Sequence, residues 1–315
     1  MTQRVLVTGG AGFIGSHVAE RYLGRGFEVT VLDDLSTGCR ENVPNGARFV
    51  ECGVNDPKAR ELLATGGYDV LNHHAAQMDV RVSVQDPLLD ERINLAGLLN
   101  LLEGARTGGV RRVVFASSGG VVYGESDLLP HRESAPKSPV SPYGVSKLAS
   151  EYYLACYRLL HHLEVVSLRY SNVYGPRQNP HGEAGVVAIF GSKIRDGEPL
   201  TVYGDGAQTR DYVFVEDVAD ANLAASEVTL PEFESIDSVA FNVGTGVETS
   251  VNELARTMLD AADASFPIHH QPARPGELLR SSVNPEKLTI LTDWRPKVSL
   301  AEGLKRTYQW IEQCV

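Results

Sequence analysis

No stretch of this chain approaches the roughly 18 consecutive apolar residues that a membrane-spanning helix requires. Its start, Met1-Thr2-Gln3-Arg4, passes directly into strand-like residues without the charged and apolar regions of a secretion signal. The expectation is a cytoplasmic protein. Cysteine is scarce as well: Cys39, Cys52, Cys156 and Cys314 show neither CxxC spacing nor a pairing pattern, which argues against a metal knuckle or disulfide framework and for reduced thiols. Positive charge is in deficit, with 29 Lys and Arg against 40 Asp and Glu and a net charge of −11, so neither nucleic acid nor an anionic membrane is expected as a partner. A phosphorylated ligand then has to be held by local cations against the net field. There is no HExxH or comparable ligand spacing, so no metal is expected; His73-His74, His161-His162 and His269-His270 are read as contact or packing residues.

What is present is an ordinary globular composition, 43% hydrophobic and 22% charged over 315 residues, enough for a large core with two domains or one domain with an insertion. Residues 4–8 have strand character, 13–26 helical and 28–32 strand character again, a βαβ unit. Further strands are expected at 48–51, 69–72, 111–116 and 164–169, between helices at 57–64, 87–106 and 143–161. Such alternation predicts an α/β fold, a Rossmann-type doubly wound parallel sheet. After Tyr170 the texture changes. A loop at 176–185 leads to a helix at 186–196, strands at 200–203 and 212–215, a helix at 218–226, a strand at 239–243 and helices at 252–262 and 300–313.

Two of these helices are apolar on more than one face. Ile93, Leu95, Leu98, Leu99, Leu101 and Leu102 cover the first, and Tyr152, Tyr153, Leu154, Cys156, Leu159 and Leu160 the second. A second apolar face predicts burial against a partner subunit or against more of the same chain, and a homodimer is expected.

The segment Val7-Thr8-Gly9-Gly10-Ala11-Gly12-Phe13-Ile14-Gly15 sets Gly9, Gly12 and Gly15 between a strand and a helix, where glycine permits a tight turn, close approach of a pyrophosphate and close helix packing. The amides and dipole of that helix N-terminus attract phosphate. Asp33, 18 residues after Gly15, closes the second strand. A carboxylate there accepts ribose hydroxyls and repels a 2′-phosphate, so NAD is expected over NADP. Asp34 could share the role, and Arg40 could instead contact a 2′-phosphate.

Further along, Tyr143-Gly144-Val145-Ser146-Lys147 brings a phenol and an ammonium to one helix face at i and i+4. A fixed positive charge favours the phenolate, which makes Tyr143 a candidate general base near neutrality.

With these motifs the chain resembles the extended short-chain dehydrogenase/reductase family, most closely its nucleotide-sugar epimerases of the UDP-glucose (UDP-galactose) 4-epimerase type. The resemblance includes Asp33-Asp34-Leu35-Ser36-Thr37-Gly38, His73-His74-Ala75-Ala76, Asn94, Ser117-Ser118 before Val122-Tyr123-Gly124, Ser141-Pro142-Tyr143, Leu168-Arg169-Tyr170-Ser171-Asn172, Thr209-Arg210-Asp211-Tyr212 and Arg274-Pro275-Gly276-Glu277. It implies an NAD-binding domain at 1–175 plus 211–243 and a nucleotide-sugar domain at 176–210 plus 244–315. Around NAD it implies Gly9, Gly12, Phe13, Ile14, Gly15, Asp33, Asp34, Ser36, Thr37, Gly38, Ala75, Ala76, Asn94, Tyr143, Lys147 and Tyr170. Around the nucleotide sugar it implies Asn172, Val187, Thr201, Tyr203, Arg210, Arg274 and Glu277. The two arginines suit a diphosphate, with Arg81 and Arg177 as weaker alternatives.

Three positions depart from the family pattern. Gly119 stands where a Ser or Thr usually holds the reacting hydroxyl, so either Ser118 takes that part or Tyr143 works without it. Gly53 replaces an adenine-side Asp. Ser281 replaces a bulky Tyr that closes the sugar pocket in some members, leaving room for an N-acetyl group.

The implied activity is NAD-dependent 4-epimerisation, UDP-glucose to UDP-galactose, by transient oxidation at C4, rotation of the 4-keto sugar and re-reduction. UDP-N-acetylhexosamine or UDP-glucuronate epimerisation is the alternative. Dehydratases and decarboxylases of the family need a further proton donor. Here Gly119-Gly120-Val121 supplies no acid, and Glu125 lies beyond Tyr123. A non-catalytic NAD-binding regulator is the rival from another class.

Overall fold

The computed structural model describes residues 2–180, 185–273 and 278–313. Strand β1 (Arg4–Thr8) enters the middle of a seven-stranded sheet because Val5, Leu6 and Val7 are apolar on both of its faces. In chain order follow α1 (Phe13–Gly24), β2 (Glu28–Asp33), β3 (Arg48–Glu51), α2 (Pro57–Thr65), β4 (Val70–His73), α3 (Val80–Gln85), α4 (Pro87–Glu91), α5 (Gly97–Gly108), β5 (Arg112–Ser118), α6 (Gly119–Val122), α7 (Pro142–His161) and β6 (Glu164–Tyr170). The second half comprises β7 (Asn172–Tyr174), α8 (Val186–Arg195), β8 (Leu200–Tyr203), β9 (Thr209–Arg210), β10 (Tyr212–Phe214), α9 (Val215–Glu227), β11 (Ala240–Val243), β12 (Thr249–Ser250), α10 (Val251–Ala261), β13 (Ile268–Gln271), β14 (Arg280–Ser281), α11 (Glu286–Thr292) and α12 (Leu300–Gln313).

The sheet order is β3-β2-β1-β4-β5-β6-β11, with every neighbour parallel. Strand order reverses between β1 and β4, the place where doubly wound sheets open a crevice at their carboxyl ends. Register puts the ends together: Thr8 pairs with Leu32 and with His73, His73 with Phe115, and Ser118 with Tyr170. One sheet face packs on Val18, Tyr22, Val218 and Ala221 of α1 and α9, the other on Leu63, Leu98, Leu101, Leu102 and Leu154 of α2, α5 and α7. A separate core joins Val187, Phe190, Leu200, Leu254, Met258 and Leu304. Leu288 and Trp294 return to the first core, where Trp294 Nε1 donates to the Asp217 carbonyl at 2.9 Å.

The doubly wound parallel sheet agrees with the sequence expectation, and three local differences have physical causes. The first helix ends at Gly24 rather than at 26, because Gly26 adopts φ +91° to turn the chain into β2. The expected helix at 87–106 is three pieces, interrupted by a π-helical turn at Arg92–Ala96 that hydrophobic spacing does not reveal. Short strands such as β7, β9, β12 and β14 span two or three residues, too few for periodicity to register.

Candidate active site

The glycine loop is built by close approach. Gly9 takes φ +67°, donates its amide to Leu32 O at 2.9 Å and leaves no room for a side chain, since a Cβ there would lie 2.6 Å from Ala75 N. A Cβ on Gly15 would fall 2.2 Å from Gly9 O, so α1 can rest directly on the loop only as glycine. Gly12 caps α1 in extended conformation without a side-chain acceptor, and no acid occupies the first turn. The helix N-terminus is thus left open to an anion. Asp33 is buried at the end of β2, accepting Ala11 N at 3.0 Å and Leu35 N at 2.9 Å; burial pushes its carboxyl up, and these amides offset part of the rise. Asp34 is exposed and accepts Ser36 N and Oγ. Its Oδ2 lies 3.6 Å from where a Cβ on Gly53 would be, so Asp34 brings a carboxylate to the side that Gly53 leaves bare. Gly38 packs against Ala11 and Asp33, closing the Ser36–Thr37–Gly38 segment onto the loop. Arg40 is stacked on Phe49, 4.0 Å from the ring centre.

Tyr143 and Lys147 lie in the first turns of α7, whose start is set by Ser141 accepting Gly144 N and by Pro142 in the first turn. Lys147 is buried; its Nζ donates to Ala116 O at 2.8 Å and lies 5.7 Å from the centre of the Tyr143 ring. His73 and His74 sit across the crevice at the end of β4. Burial first, then the charge of Lys147, hold both imidazoles down at about 3, so they are neutral at pH 7 and Lys147 is the cation of this region. Ser118 ends β5 half-buried, with no side-chain hydrogen bond among the described residues. The next position is closed: a Cβ on Gly119 would lie 2.7 Å from Val283 Cγ1. Ser118 is therefore the hydroxyl presented at this strand end.

The residues expected at the nucleotide sugar lie on several elements of the second half. Arg210 is half-buried on β9, donating to Thr209 O at 2.8 Å, and Thr201 and Tyr203 are half-buried on β8. Asn172 is exposed at the start of β7. Val187 is 1% exposed in the core of the smaller half, so its side chain lines no open surface. Arg274 and Glu277 lie outside the described residues. Arg81 is spent on Asp79, 2.8 Å away, and Arg177 on Ser16 Oγ and Glu20 of α1. Ser281 is buried on β14, in register with Arg210.

Residues 5–244 match the model of the NAD dependent epimerase/dehydratase family. The chain belongs to this family. It is 44% identical, over 98% of each chain, to a UDP-glucose 4-epimerase of Mycolicibacterium smegmatis. Among solved structures it is similar to a UDP-glucose 4-epimerase with UDP-glucose from Thermotoga maritima (TM-score 0.94, 40% identity, 99% of each chain) and to a Thermus thermophilus UDP-glucose 4-epimerase complex with NAD (TM-score 0.91, 46% identity, 99% of this chain and 100% of the other).

In this NAD-dependent family member several supporting residues escape a sequence reading. Thr8 Oγ1 bonds His73 Nδ1 at 2.7 Å and accepts Ala75 N at 3.3 Å, fixing the loop that carries Ala75 and Ala76. Asn94 spends both ends of its amide on Gln77 and on Asp90, and so supports the crevice from one layer back. Tyr170 is buried, stacked on His74 at 6.1 Å, with its hydroxyl accepting from Asn222 at 2.8 Å. Thr8 had one sequence signal, its place as the last residue of the first strand. Asn222 and Gln77 had none, because the contacts that tie them to Tyr170 and to Asp90 span 52 and 13 positions.

Proposed function

We propose that this protein is an NAD-dependent nucleotide-sugar 4-epimerase that interconverts UDP-glucose and UDP-galactose. The observation that carries this reading is the pairing of Tyr143 and Lys147 on α7, with no acid in the segment that directly follows Ser118. Gly119, Gly120 and Val121 follow Ser118, and the nearest acid along the chain, Glu125, is occupied with Leu279 N at 3.1 Å.

The cradle fits the cofactor: an uncapped helix N-terminus for the pyrophosphate, Asp33 for the ribose hydroxyls, and Ala75 and Ala76 beside it. NAD, when bound, supplies a hydride acceptor and donor at C4 of the sugar. Tyr143 moves the proton at O4, taking it as phenolate and returning it to the opposite epimer. Lys147, immobilised by Ala116, favours the charged phenolate. Ser118 is the hydroxyl available to hold O4 in line. Arg210, and Arg274 and Glu277 outside the described residues, serve the diphosphate and sugar. With Tyr143 as the acid–base group at O4, a proton removed is a proton returned, which is the balance that epimerisation requires.

A second reading, with a UDP-N-acetylhexosamine or UDP-uronate as substrate, rests on the small Ser281 on β14. Purified protein incubated with each of these nucleotide sugars should convert UDP-glucose to UDP-galactose, resolved by chromatography. Retained NAD with no turnover on any of them would favour a regulator instead.

The quaternary proposal is a homodimer. On α7, Val145, Tyr152, Cys156 and Leu160 are all exposed along one face, and Leu88 on α4 is 71% exposed. No helix among the described residues is long and apolar enough to cross a membrane. The cytoplasm is the proposed compartment, consistent with cysteines that show no pairing pattern.

A further inference from the structure

Asp90 is a buried carboxylate that the reaction above does not use. It lies on α4, fully closed to solvent, and no cation pairs with it among the described residues. Three neutral donors converge on it instead. Gln77 Nε2 at 2.9 Å and Asn94 Nδ2 at 3.0 Å donate to Oδ1, and Ser146 Oγ at 2.5 Å donates to Oδ2. Each donor belongs to a different wall of the crevice. Gln77 lies on the loop that carries His74, Ala75 and Ala76; Asn94 is on the π-helical turn; Ser146 lies on α7 between Tyr143 and Lys147. Asn94 closes the arrangement by accepting Gln77 N at 2.9 Å and donating to Gln77 O at 2.8 Å.

A buried carboxylate without a counter-ion is costly, and apolar packing would hold α4 against α7 at less expense. What apolar packing does not supply is direction, since each hydrogen bond fixes its donor at one distance and angle. We propose that Asp90 is a positioning residue for the epimerisation. It fastens the helix bearing Tyr143 and Lys147 to the loop that floors the cofactor crevice, and so sets the gap across which sugar and cofactor meet. The proposal rests on the epimerase reading for its rate effect and on the cradle alone for its effect on NAD.

The test uses the full chain with Asp90→Ala, Asp90→Asn and Ser146→Ala, measuring kcat and KM for UDP-glucose, Tm, and NAD released on denaturation. Displacing the phenol by a fraction of an ångström should lower kcat in Asp90→Ala by about 10- to 100-fold while KM changes by less than about threefold. Retained NAD should fall as well. Asp90→Asn should recover most of both, because its Oδ1 still takes the two amides and its Nδ2 can donate to Ser146 Oγ. Should Asp90→Ala fail to fold, Ser146→Ala carries the test, with kcat down by about tenfold at unchanged Tm expected. The proposal is overturned by wild-type kcat and NAD retention in Asp90→Ala, by Asp90→Asn losing as much as Asp90→Ala, or by wild-type kcat in Ser146→Ala. If the unaltered protein turns over no nucleotide sugar but Asp90→Ala still sheds NAD, the epimerase reading fails and the positioning role stands.

Discussion

Lys147 is pinned to the sheet by Ala116, whose carbonyl oxygen accepts its Nζ at 2.8 Å, and this places the ammonium 4.7 Å from the centre of the Phe115 ring and 5.7 Å from that of Tyr143. A flexible four-carbon stem thereby becomes a fixed charge.

Removing the phenol oxygen should therefore abolish proton transfer without disturbing the cradle. Tyr143→Phe is expected to lower kcat by about 10²- to 10⁴-fold, the usual worth of a positioned acid–base group, while NAD stays bound. Wild-type rates of UDP-galactose formation in this variant would sink the mechanism.

Gly119 offers a test of the departure from the family pattern. Its missing side chain is occupied by Val283, with Arg169 O and Tyr170 O each 3.3 Å from an added Cβ. Gly119→Ser should cost about 1–3 kcal/mol through overpacking, read from urea denaturation. Adding Val283→Ala should recover part of the loss. Equal stability of Gly119→Ser and the unaltered protein would show that Val283 yields freely.

Acid should weaken the fold through the paired histidines. His73 and His74 have folded values near 3 against 6.5 in an open chain, so below pH 6.5 the unfolded state binds protons that the folded state refuses. Their contribution is complete above pH 6.5 and is lost as pH falls toward 3, amounting to about 2 kcal/mol per histidine by pH 5. Burial also holds His17 and His131 down, whereas Asp33, Asp211, Asp217 and Glu133 are pushed up by burial and act in the opposite direction. Comparison with His73→Asn isolates the effect: its unfolding free energy should fall less between pH 7 and pH 5, and an identical fall in both proteins would contradict the assignment.

The exposed face of α7 gives a quaternary prediction. Tyr152 is 56% and Leu160 72% exposed, a poor fate for large apolar groups unless another surface covers them. Tyr152→Glu combined with Leu160→Glu should convert a dimer into a monomer in sedimentation velocity at micromolar protein. A monomer before substitution would refute the dimer directly.

Much of the site is legible in the chain because its logic is local. The glycine loop needs only a strand, a turn and a helix in succession, and Tyr143 meets Lys147 through one helical turn. The π-helical turn at Arg92–Ala96 is not legible, since it differs from an α-helix by a widened turn and leaves the apolar pattern intact. At Val187, a position implied by resemblance to line the sugar site, the linear pattern carries no sign that the side chain packs into the smaller core.

Residue order alone settled the alternation of strands and helices, the glycine loop, Asp33 at the end of the second strand and the phenol–ammonium pair, all of which arise from contacts within a few residues or one βαβ unit. The folded chain alone decided that Val283 closes the space beside Gly119, that Thr8 steadies His73 and that Asp90 gathers Gln77, Asn94 and Ser146. Those meetings join segments up to 164 positions apart across the carboxyl edge of a sheet, and a linear pattern carries no record of which distant side chains that edge brings within hydrogen-bond reach.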